Sequence, residues 1–116
     1  MDFSHPPKVI DLQHRVTDFI DRYVLPHLRR WHEEVAAGEN PPTVVEELKA
    51  LAKFEGLWNL FLPNLKSDEP GTRLTNLEYA PLAEIMGRVY WSSEVFNCSA
   101  PDTGNMELLH AAATDE

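Results

Sequence analysis

Apolar residues early in the chain fall at Val9, Leu12, Val16, Phe19, Ile20, Tyr23, Val24, Leu28, Trp31 and Val35. Steps of three and four residues put them on one stripe of a long helix. Asp11, Arg15, Asp18 and Arg22 take the opposite side, and Asp11–Arg15 and Asp18–Arg22 stand in the favourable i, i+4 order. Pro26 interrupts this pattern, removing one helical donor and crowding the preceding turn, so a kink or break is expected near Val24. Gly38, Asn40, Pro41 and Pro42 end the element.

Thr43 followed by Glu46 reads as a capping box opening a second helix, with Val44, Val45, Leu48, Leu51 and Ala52 on one side and Gly56 as its stop. The run G-L-W-N-L-F-L-P, Gly56 to Pro63, is too apolar for an exposed loop and predicts a buried connection. Asn64 to Arg73 is polar, contains Pro70 and Gly71, and predicts a surface loop. Thr75 and Glu78 form a second capping box ahead of a third helix, with Leu77, Leu82, Ile85, Met86 and Val89 directed inward. Pro81 stands late for a first-turn proline, which moves the expected start toward Ala80. A fourth helical piece covers about Trp91 to Cys98, capped by Ser92 or Ser93, and a fifth begins at Asp102 or Thr103 and frays at Ala111 to Ala113. No segment alternates as a strand does. The expected fold is all-α, a short bundle of about five helices.

Charge and chemistry narrow the functions. The chain has 116 residues and a formal net charge of −9, and Arg29 and Arg30 are interleaved with Glu33 and Glu34, so no basic stripe for nucleic acid forms. Its apolar fraction, 43%, supports one modest core. The single cysteine, Cys98, forbids an internal disulfide and a thiolate metal cluster. The amino-terminal M-D-F-S-H-P-P lacks the basic and apolar regions of a signal peptide, and no run is long enough for a membrane span, so a cytoplasmic protein is expected. His27 and His32 are five apart, on different faces of a helix, and cannot share one metal ion. Cys98 lacks a nearby His/Asn arrangement in sequence and reads as a packed thiol, His110 as a helix-end residue, and Trp31, Trp58 and Trp91 as core. The most particular text is Asn97 to Leu109, N-C-S-A-P-D-T-G-N-M-E-L-L, where one helix ends and another starts among small side chains.

The order of these pieces resembles the N-terminal helical domain of the acyl-CoA dehydrogenases. The resemblance covers essentially the whole chain. It rests on Pro26 inside the first helix, G-E-N-P-P ahead of the second, G-L-W-N-L-F-L-P at Gly56 to Pro63, L-A-E-I-M-G-R at Leu82 to Arg88, and the Asn97 to Leu109 string. That string is similar to a branch favouring longer or branched acyl chains. One departure is that Asn64-Leu65-Lys66-Ser67 stands where the family commonly has Gly-Gly-x-Gly.

The resemblance implies an FAD-dependent oxidoreductase that removes hydrogens from the α and β carbons of an acyl-CoA thioester. Electrons would pass to an electron-transfer flavoprotein, and the enzyme would be a homo-oligomer. It further implies that residues 1–116 form the first of three domains, without the middle β domain and C-terminal helical domain that carry the flavin site and the catalytic glutamate. The chain by itself is then expected to hold neither flavin nor catalytic residue. Matching Gly104 and Met106 to the family pattern places Phe96, Ser99, Ala100 and Thr103 at the far end of the acyl pocket. The alternative is a stand-alone helical interaction module without catalysis.

Overall fold

The computed structural model describes residues 3–63, 65–69 and 71–114. Asn64 and Pro70 of the expected surface loop, and Asp115 and Glu116 at the end, lie outside the described residues. All regular structure among the described residues is helical, in agreement with the expected class. The elements are α1 (Pro7–Phe19), α2 (Leu28–Ala36), α3 (Thr43–Phe54), α4 (Asn76–Met86), α5 (Ser92–Val95) and α6 (Asp102–Ala112). No helix among the described residues is long and apolar enough to cross a membrane.

The expected break at Pro26 is present, and its form follows from the missing donor. The α-geometry of α1 stops at Phe19; Ile20–Val24 is a π turn, in which the Leu25 amide reaches back to the Ile20 carbonyl, and Leu25–His27 is a 3-10 turn. Pro26 cannot donate, so the chain widens before it and tightens after it. Both i, i+4 pairs form, Asp18–Arg22 at 3.3 Å and Asp11–Arg15 at 4.0 Å. Val35 departs from the stripe and is exposed.

The core gathers Val16, Phe19 and Ile20, Val44, Val45 and Leu48 of α3, Leu57 and Leu60 of the connection, and Leu82 and Met86 of α4. The Gly56–Pro63 run is buried as expected, with Leu57 and Leu60 fully inside. Gly56 ends α3 in a left-handed conformation, φ +74°, with its own amide donating to the Lys53 carbonyl and the Leu57 amide to that of Ala52. These are the two bonds of a Schellman cap. Gly38 ends α2 identically, with bonds to Val35 and Glu34.

Four local expectations are corrected. Thr43 is not the cap of α3 but its first residue; its amide and hydroxyl donate to the Glu39 carboxylate, 3.1 and 3.0 Å away, while Glu46 turns to Lys49. An acid one turn upstream serves both Thr43 donors, so the reciprocal box does not form. The Thr75–Glu78 box is present in both halves, which starts α4 at Asn76 and leaves Pro81 inside the helix, buried. The box outweighs the one lost hydrogen bond. Leu77 of α4 is 83% exposed rather than inward. The fourth piece is only Ser92–Val95; neither serine caps it, because Ser92 is fully buried and donates to the Met86 carbonyl.

Acidic side chains hold the elements together. Glu34 of α2 accepts the Val44 amide at the start of α3 (2.9 Å) and Arg30 (2.7 Å), and Arg30 grips Glu47 of α3 with two bonds of 2.7 and 2.9 Å. The Val44 amide first, then Arg30, holds the Glu34 carboxyl below its ordinary value. Arg30 does the same for Glu47, the Thr75 amide and Lys8 for Glu78, and His110 and the Lys66 amide for Glu69. A carboxyl whose folded value is depressed stabilises fully above its unfolded value and loses that contribution as pH falls through the folded one. The urea midpoint is therefore expected to be level down to about pH 4.5 and to fall below it, with a shallower fall in Glu34→Gln. A parent midpoint unchanged at about pH 3 contradicts this account.

Candidate functional site

The junction between α5 and α6 is built on two asparagines. Asn97 follows α5 with φ +55°, its amide bonded to the Glu94 carbonyl and the Cys98 amide to that of Ser93. This is a third Schellman cap, with asparagine in the position glycine holds at Gly38 and Gly56. Asn59, inside the buried connection, also has a left-handed backbone, φ +60°. The two meet: Asn97 Nδ2 donates to Asn59 Oδ1 at 2.7 Å, and the Asn59 amide donates to the Phe96 carbonyl at 3.1 Å. Asn97 Nδ2 also lies 3.3 Å from Met106 Sδ, which ties the junction to α6.

The four residues expected to line an acyl pocket sit on this scaffold in different ways. Phe96 is fully buried and packs edge-on against Phe19, ring centroids 5.1 Å apart. Its side chain is core, so it shapes the junction from behind. Ser99 and Thr103 are half-buried and Ala100 is exposed. The Thr103 amide donates to the Ser99 carbonyl at 3.2 Å, so these two share the first turn of α6. The Ala100–Pro101 peptide is cis.

Cys98 is half-buried, its Sγ 3.3 Å from the Phe96 carbonyl, and burial pushes its thiol above the ordinary value. A protonated thiol is a poor nucleophile, which agrees with a packed cysteine. His110 Nε2 lies 2.9 Å from Glu69 Oε2, joining α6 to the loop before α4. That loop is wrapped on Arg73, whose guanidinium donates to the carbonyls of Lys66, Ser67 and Glu69. Trp31 and Trp91 are buried as expected, whereas Trp58 is half-buried with Lys53 Nζ 4.3 Å from its ring centroid. His27 Nδ1 faces the Tyr23 carbonyl.

Between the connection and α6 lies a groove of about 510 Å³ lined by Leu62, Pro63, Gly104, Glu107, Leu108 and Ala111, among others. α6 buries none of its residues against the rest of the described chain, and Leu108 and Leu109 are 66% and 61% exposed. The groove mixes apolar walls with Glu107 and with His110, which is itself paired with Glu69. This groove by itself offers little to a flavin diphosphate, since Glu107 is among its walls and no lysine or arginine is among the described residues that line it.

No family model matches the chain. Individual proteins do. It is 48% identical to acyl-CoA dehydrogenase family member 10 of Mus musculus over 95% of its length, which is 11% of that protein. It is 47% identical over its full length to "probable acyl-CoA dehydrogenase FadE2" of Mycobacterium tuberculosis, covering 28% of it. A solved structure from Mycobacterium abscessus, described as an acyl-CoA dehydrogenase, superposes with a TM-score of 0.80 at 42% identity, over 97% of this chain and 30% of that one. The chain thus spans less than a third of the length of these relatives. Sequence and fold agree, and the chain belongs to the acyl-CoA dehydrogenase family, with the fold of that family's N-terminal helical domain.

Proposed function

We propose that residues 1–116 act as the N-terminal helical domain of an FAD-dependent acyl-CoA dehydrogenase and form one wall of its acyl pocket. The relatives carry that activity in their names, and this chain matches only part of their length. The observation that carries the reading is the α5–α6 junction: small side chains at Ser99 and Ala100 beside the Asn59–Asn97 clamp, next to a helix α6 that leaves Leu108 and Leu109 mostly exposed. Such a surface accepts an alkyl chain and a neighbouring domain without offering chemistry of its own. α,β-Dehydrogenation with FAD as acceptor would use groups outside these residues, with electron-transfer flavoprotein as the electron acceptor and a homo-oligomeric enzyme as the setting. Ser99, Ala100 and Thr103 would bound the far end of the acyl chain, with Phe96 bracing them from the core.

Ala100 supplies the test. In an enzyme that carries this domain, Ala100→Phe fills the far end of the pocket, and each methylene excluded is worth about 0.8 kcal/mol of binding. The preferred acyl chain is expected to shorten by several carbons, read as kcat/KM across a series of straight-chain acyl-CoA substrates. An unchanged profile refutes the assignment.

A further inference from the structure

We propose that Met106 is a site of reversible sulfur oxidation, and that its sulfoxide releases α6 from the α5–α6 junction. The inference stands on the contacts of this one side chain and not on the acyl-pocket reading.

Two side-chain hydrogen bonds reach α6 from the rest of the described chain. Near its middle, Met106 Sδ accepts from Asn97 Nδ2 at 3.3 Å; near its end, His110 Nε2 lies 2.9 Å from Glu69 Oε2. No residue of α6 is buried, so these contacts do much of the work of holding the helix in place. The Asn97 carboxamide has two N–H groups. One donates to Asn59 Oδ1 at 2.7 Å, and the other is turned to the thioether.

Burial directs an oxidant to this sulfur. Met86 is 1% exposed, with Tyr79 Oη 3.9 Å from its Sδ, whereas Met106 is half-buried. A lone pair of the Met106 sulfur attacks hydrogen peroxide and the O–O bond breaks. One oxygen stays on sulfur; the other leaves as hydroxide and takes the released proton to become water. Sulfur is oxidised by two electrons and the peroxide is reduced. Methionine sulfoxide reductases reverse the step, the oxygen leaving as water while two thiols become a disulfide.

The sulfoxide cannot keep the tie in its present form, whichever lone pair is used. The gap from Asn97 Nδ2 to Sδ is already of contact length, so an oxygen placed between them would lie inside hydrogen-bond distance and force the two apart. An oxygen on the other lone pair leaves a positively polarised sulfur facing a donor hydrogen, and the attraction becomes repulsion. Either product is polar and better solvated outside the junction than in it. α6 is then held by its chain connection and by the His110–Glu69 contact.

The test is to treat the folded 116-residue chain with a graded series of hydrogen peroxide and to locate added oxygen by peptide mass mapping. Met106 is expected to oxidise at least about 10-fold faster than Met86. Amide hydrogen exchange across residues 102–112 should then accelerate at least about 3-fold, and the Asn97 side-chain N–H resonances should shift. Treatment with methionine sulfoxide reductases should return both to their starting values. Met106→Leu should show the faster exchange before any peroxide and no further change after it. In Asn97→Gly, which lacks the donor, oxidation of Met106 should add nothing. Oxidation of Met86 at the same rate as Met106 overturns the selectivity of the site. Unchanged exchange in α6 and unmoved Asn97 resonances in the Met106 sulfoxide overturn the release.

Discussion

Phe96→Ala is expected to lower the unfolding free energy by about 3–5 kcal/mol. Phe96 is fully buried, packs on Phe19 at 5.1 Å, and closes a helix of only four residues. α5 is too short to hold itself together, so its position depends on this ring and on Val95 beside it. Truncation leaves a cavity that Phe19, pinned within its own helix, cannot fill, and the loss combines transfer and cavity terms. A domain of this size has about 5–15 kcal/mol in total, so the variant would be near its limit of folding. Phe54→Ala is the control, because Phe54 is 89% exposed; its effect should stay within about 0.5 kcal/mol. Urea denaturation of both variants distinguishes these outcomes, and a loss below about 1 kcal/mol in Phe96→Ala would mean that the core closes without it.

A second large effect is expected at Asn97, where the order of three variants matters more than any single value. Asn97→Ala keeps a left-handed residue that alanine disfavours by about 1–2 kcal/mol. It also removes the bond to Asn59, leaving that half-buried oxygen wanting a donor for a further 1–3 kcal/mol or so. The sum is about 2–5 kcal/mol. Asn97→Gly loses the same bond but enters the left-handed region freely, so it should be more stable than the alanine variant by about 1 kcal/mol. Asn97→Asp keeps the shape but sets a carboxylate against the Asn59 oxygen, and should fall near the alanine variant. Equal stability of the alanine and glycine variants would remove backbone conformation from the explanation. In the proposed enzyme, the glycine variant should also blur chain-length preference, since the junction then lacks its side-chain link to Asn59 and keeps only the Asn59 amide bond to Phe96.

Much of this architecture is legible in local text. Spacing marks the helices, Gly56 marks a stop, the Thr75–Glu78 pair marks a start, and the apolar run from Gly56 to Pro63 marks a buried connection. What escapes is anything decided by a residue outside the window. Thr43 and Glu46 satisfy the pattern of a capping box, yet Glu39 takes both Thr43 donors because the turn between α2 and α3 returns it to that helix start. Ser92 has a capping residue's chemistry, but a carbonyl six residues upstream claims its hydroxyl. Leu77 belongs to the apolar count of α4 and still faces out, because the cap that starts the helix also sets its rotation. The Asn59–Asn97 pair spans 38 positions, and nothing near either residue announces the other. The same holds for the candidate site. Its small residues are visible as text, whereas the clamp behind them exists only after α5 closes on the rest of the chain.

The π turn at Ile20–Val24 can be considered as a phase shifter. α1 packs on α4 while α2 packs on α3, so one amphipathic stripe must address two partners in different directions. A wider turn inserts the rotation that an uninterrupted helix would lack. Each residue of a helix turns the chain by about 100°, so deleting a single residue between positions 20 and 24 would carry Trp31 about a quarter-turn away from Trp91. Residue number in this segment thus works as angular information: its length must be kept even where its side chains can change.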